Sequence, residues 1–93
     1  MILARNFRCR AGELDIVARC DRLLIVAEVR LRTSQDFGGA AASITEPKRR
    51  RIVRATSYLL MRRPDLAQLT VRFDALLLDT VDGPIDWIQS AFG

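Results

Sequence analysis

The stretch Leu23–Leu31, LLIVAEVRL, constrains this chain more than any other. A nearly unbroken apolar run of that length reads as a central strand buried on both faces. Such a strand needs neighbours along both edges and a second layer over the sheet. Its C-terminal half nevertheless carries an acid and a base, Glu28 and Arg30, which two-residue spacing puts on one face. Charges in a buried strand require a reason beyond packing.

The sequence on either side supplies the neighbours. Residues 2–8 mix apolar and basic side chains and read as a strand, closed by the turn Arg10-Ala11-Gly12. Residues 13–19 alternate, with Leu14, Ile16 and Ala18 on one face and Glu13, Asp15 and Val17 on the other. Cys20-Asp21-Arg22 makes a second tight turn. Residues 33–43 form a loop of small residues around Phe37-Gly38-Gly39, either the rim of a site or a linker with Phe37 tucked into the core. Thr45 can cap a helix whose first turn holds Pro47, and Arg62-Arg63-Pro64 ends it. Ile52, Ala55, Thr56 and Leu59 repeat at helical spacing and face the sheet, with Val53 and Leu60 widening the stripe. Residues 69–78 are a second apolar strand, interrupted by Arg72 and by Asp74, the latter read as structural. After the turn Asp82-Gly83-Pro84, residues 85–89 give a short strand with Trp87 over the core edge.

This order predicts one α/β domain over residues 1–93: a mixed sheet of four to five strands with a crossover helix. The first three strands should be antiparallel neighbours. The third and fourth, joined through the helix, should be parallel with a right-handed crossover.

Composition narrows the chemistry. The formal net charge is +4, fourteen of the fifteen basic residues are Arg, and His is absent. Without His, the usual general base and the commonest zinc ligand are gone, so catalysis would run on carboxylates, backbone and bound metal. Guanidinium groups fork onto phosphate oxygens, although a codon bias toward Arg explains the excess equally well. Cys9 and Cys20 belong to no metal-spaced pair and are expected as free thiols. No apolar run reaches the length of a membrane span and no signal peptide opens the chain, which leads to the expectation of a cytoplasmic protein.

If the strands at 13–19 and 23–31 pair as a hairpin with aligned faces, Glu13, Asp15 and Glu28 converge with Arg30 beside them. Clustered carboxylates repel unless a cation lies between them, which suggests a magnesium or manganese site. Lys48, Arg49, Arg50 and Arg51 crowd the start of the helix, against its macrodipole, and call for an anionic partner or for solvation. The alternative for the acids is ion pairing of Asp15 and Glu28 with Arg30 and Arg32.

A Gly-Glu-Leu-Asp strand followed by an apolar strand ending Glu-Val-Arg resembles the PD-(D/E)xK, restriction-endonuclease-like fold. The runs ILARNFRCRAGELDIVA and AEVRLR, the Phe-Gly loop and the helix KRRRIVRATSYL resemble the YraN family, small bacterial proteins similar to archaeal Holliday-junction resolvases. The resemblance implies metal ligation by Asp15, Glu28 and the Val29 carbonyl, with Glu13 binding through water. It implies a nuclease that acts on DNA and leaves 5′-phosphate and 3′-hydroxyl ends. Lys48, Arg49, Arg50, Arg51 and Arg32 would contact the nucleic acid.

The chain departs from that pattern twice. Arg30 stands where the motif has Lys, keeping the charge but unable to act as a base. The family's helix before the first strand, with its acid, is missing from this sequence; a truncated or misannotated start would explain that, and so would a partner subunit on the uncovered sheet face, as in a homodimer. Three functions therefore compete: a metal-dependent, shape-selective nuclease; a catalytically weak or inactive nucleic-acid-binding module; and a protein-interaction domain with a basic helix.

Overall fold

The computed structural model describes residues 1–31 and 44–93. Arg32 and the Phe37 loop lie outside the described residues. Five strands, β1 (Ile2–Cys9), β2 (Gly12–Cys20), β3 (Leu23–Leu31), β4 (Thr70–Leu78) and β5 (Ile85–Phe92), form one sheet in sequence order. Among the described residues one helix, α1 (Glu46–Arg62), lies between β3 and β4 in the chain, followed by a 3₁₀ turn over Pro64–Leu66. β1, β2 and β3 are antiparallel neighbours, β3 and β4 are parallel, and β5 returns antiparallel to β4. This is the mixed α/β arrangement the sequence predicts, with the central apolar run paired on both edges.

The helix forms where its signals lie. The Thr45 hydroxyl accepts from the Lys48 N–H at 3.4 Å, and Pro47 occupies the first turn, where a missing N–H costs nothing. Ile52, Ala55, Thr56 and Leu59 are the buried residues of α1, as the spacing requires. They close over Leu14, Val17, Leu24, Val26, Ala75 and Leu77, and Ile44 and Leu66 seal the two ends of this layer. The shortest dimension of the molecule is 19 Å, two layers thick.

Three local expectations are corrected. Leu14 and Val17, three residues apart, both belong to the core beneath α1, whereas Ile16 and Ala18 line a groove with Ile25, Ala27 and Leu76. Strict alternation therefore fails within β2. The strand opposite contains Asn6 in a left-handed conformation (φ 54°) and a register shift between Ile2 and Ala4, irregularities that re-aim the facing side chains. β5 runs on to Phe92, whose ring stacks on Phe73 at 5.2 Å and extends the strand beyond Gln89. Trp87 is half exposed and lines the same groove as Ile16 instead of covering the core edge.

That tryptophan is held by Asp74, which is fully buried. Asp74 accepts from both Arg72 nitrogens at 2.8 Å, from Trp87 Nε1 at 2.8 Å and from the Ser90 N–H at 3.0 Å. Burial raises the carboxyl pKa, but these donors outweigh it and hold Asp74 below the ordinary carboxylate range. With every lone pair engaged, Asp74 is a clasp between β4 and β5, the structural role expected of it. Cys9 and Cys20 are free thiols.

Candidate functional site

The pairing of β2 with β3 runs from Cys20 opposite Leu23 to Ile16 opposite Ala27 and goes no further. The next residue on each strand is an acid, Asp15 and Glu28. Their side chains take over where the ladder stops. The Val29 N–H donates to Asp15 Oδ2 at 2.9 Å, and the Asp15 N–H donates to Glu28 Oε1 at 3.5 Å. A strand residue points its N–H and C=O to the same edge, so the Val29 carbonyl faces this opening as well.

The gap is a cavity of about 180 Å³ lined by Gly12, Glu13, Asp15, Glu28, Lys48, Arg51 and Ile52. β2 and β3 contribute the carboxylates from one side and the first turns of α1 contribute the cations from the other. Glu28 is only 2% exposed. Burial first, and then the charge of Asp15 beside it, push the Glu28 carboxyl up to about 8, with Lys48 acting weakly in the opposite sense. The site thus holds a carboxyl that is protonated at neutral pH unless a further positive charge enters.

Asp15 and Glu28 line one cavity. Glu13 lines the same cavity from its rim, where it is paired with Arg8 at 3.6 Å. Among the described residues no group of three acids or cysteines converges as a ready-made cage. Arg30 is not part of the lining, and its buried Nε finds no hydrogen-bond partner. No ion pair joins Asp15 or Glu28 to Arg30 among the described residues.

The four consecutive bases at the start of α1, Lys48 to Arg51, separate by helical phase. Lys48 and Arg51, three residues apart, face the acids. Arg49 donates from Nε to the Ile44 carbonyl at 2.8 Å, and Arg50 lies 3.8 Å from Glu46. Both of these line a second groove with Arg54 and Phe92. The sequence carried this signal, because Lys48, Arg51, Ile52 and Ala55 fall on one helical stripe. Backbone conformation and not space calls for glycine at position 12: its φ of 153° disfavours a side chain, whereas an added Cβ would meet that of Arg51 at an ordinary 3.6 Å.

No helix among the described residues is long and apolar enough to cross a membrane. The sequence model described as "Uncharacterised protein family UPF0102" matches residues 1–78. A UPF0102 protein of Saccharophagus degradans is 44% identical over 90 residues, covering 97% of this chain and 75% of its own length. One from Dechloromonas aromatica is 46% identical over 91 residues, covering 98% and 72%. A third, from Nitrosospira multiformis, is 45% identical over 94 residues, covering 99% and 76%. On a match through all of β1 to β4 and on this level of identity, the chain belongs to the UPF0102 family.

Proposed function

We propose that the protein is a metal-dependent hydrolase of DNA phosphodiester bonds built on a restriction-endonuclease-like core. The observation that carries this reading is the pair Asp15 and Glu28, side by side at the mouth where β2 and β3 stop pairing, with Lys48 and Arg51 opposite. A buried carboxyl against a second carboxylate is relieved when a divalent cation replaces its proton. Two carboxylates and a carbonyl suit magnesium or manganese, which keep several waters.

Asp15, Glu28 and the Val29 carbonyl would hold the ion, with Glu13 reaching it through water from the rim. When bound, the ion lowers the pKa of a water and screens charge on the phosphate. The chain's own part is placement. Asp15 is fixed by the Val29 N–H, which engages one of its carboxylate oxygens, and the residue lines the cavity. Arg30 lies outside the cavity lining, so the positive charge beside the acids comes from Lys48 and Arg51. The bases of α1 hold the DNA backbone without reading sequence, which makes binding shape-dependent and steeply sensitive to salt.

Arg30, in place of the lysine of the motif this strand resembles, supports a second reading: a nucleic-acid-binding module with weak or no cleavage. One assay separates the two: cleavage of linear, nicked, flapped and four-way DNA with magnesium or manganese. The nuclease reading requires cleavage that vanishes in EDTA and in Asp15→Ala while DNA binding persists. Binding without cleavage under every condition supports the second reading.

A further inference from the structure

The cations that face the acid pair are Lys48 and Arg51, and both are unspent. Neither makes an ion pair or hydrogen bond from its side chain to another described residue. By contrast, Arg49, Arg50, Arg63 and Arg72 are engaged with Ile44, Glu46, Asp65 and Asp74. The two cations sit one helical turn apart over a cavity whose floor is Asp15 and Glu28. Thr45 and Ile52 fix them from either end, the first as the helix cap and the second as a 2% exposed anchor in the core. A phosphodiester phosphate seated in the mouth would offer one non-bridging oxygen to this pair and leave the other for the ion that Asp15 and Glu28 would hold. Arg30, on β3 and outside the lining, does not reach that position.

We infer that Lys48, with Arg51 as the second arm of a clamp, holds the scissile phosphodiester phosphate over Asp15 and Glu28, and that Arg30 does not. The inference rests on the hydrolase reading for the word scissile, and on geometry alone for the phosphate. Charge placed where the phosphate gains charge acts on turnover more than on affinity, because many other contacts hold the backbone.

Lys48 is the only lysine of the chain, so its ammonium can be observed by itself. The full chain labelled with ¹⁵N-lysine is titrated with a short DNA duplex in calcium. The single lysine side-chain resonance is expected to shift with saturation in wild type and in Arg30→Ala. An unmoved resonance at saturating duplex overturns the inference, whether or not the protein cleaves.

Kinetics give the second arm. Lys48→Ala is expected to lower the turnover number about 100-fold, with duplex affinity changed by no more than about threefold. Lys48→Arg should recover part of the loss by keeping the charge, which a misfolded variant could not do. Arg30→Ala should cost less than about tenfold in turnover. A larger loss in Arg30→Ala than in Lys48→Ala contradicts the assignment. If the wild type cleaves nothing, the hydrolase reading fails, and the resonance alone decides the phosphate contact.

Discussion

Glu28 is the residue on which the proposed chemistry turns. Its carboxyl is raised from 4.5 to about 8 by burial and by Asp15, so the folded state holds a proton that the unfolded chain gives up. The sign follows from linkage: native binds more protons than unfolded between these values, and stability falls as pH rises. In urea denaturation of the metal-free protein, the contribution of Glu28 should therefore be fully present below pH 4.5 and decline up to about pH 8. Glu28→Gln, which keeps the shape and removes the ionisation, should flatten that decline; an unchanged slope would exclude Glu28 as its source. Asp74 has the opposite sign. Its carboxyl is held low, so its contribution is present above its ordinary pKa and fades as pH falls through the depressed value. Asp74→Ala leaves the buried side of the Arg72 guanidinium unpaired and frees Trp87. A loss of about 2–4 kcal/mol is expected, measured by denaturant midpoint with Trp87 fluorescence as the probe.

The elements were legible to different degrees. The strands and helix announced themselves through apolar runs, turn residues and a cap, and the acids through two-residue spacing on adjacent strands. The faces of β2 were not legible, because alternation assumes a regular ladder. The irregularity is set on the partner strand, where Asn6 turns left-handed, and nothing in residues 13–19 reports it. The fate of Trp87 was hidden for a similar reason: its indole follows a hydrogen bond to Asp74, thirteen residues away. The division of the basic run could be read, since it follows helical phase. α1 positions Lys48 and Arg51 only if its apolar stripe stays seated. Ile52 lies in both the core and the cavity wall, so Ile52→Ala should cost about 2–4 kcal/mol and weaken cleavage as well. A loss of stability with turnover intact would show that the two cations do not depend on this seat.

At the scale of the whole molecule, α1 covers one face of the sheet. The other face keeps a groove of about 390 Å³ lined mostly by apolar side chains, including Ile2, Ile16, Ile25, Leu76 and Trp87. Exposed apolar surface of this kind favours association. Sedimentation velocity over a concentration series should show the chain's mass rising with concentration, and Ile16→Asp should abolish the rise. A monomer at every concentration would leave the proposed homodimer without support. The acid pair lies on the covered face, so association through the open face leaves the cavity accessible.

Asp15 and Glu28 are proposed to share one divalent ion in exchange for a proton, which calorimetric titration with manganese in two buffers of different ionisation enthalpy would reveal. At pH 7, below the Glu28 value of about 8, one ion should bind with release of about one proton. Both the binding and the proton should disappear in Asp15→Asn and in Glu28→Gln. Manganese that fails to bind the wild type, or that binds both variants equally well without proton release, would contradict the account.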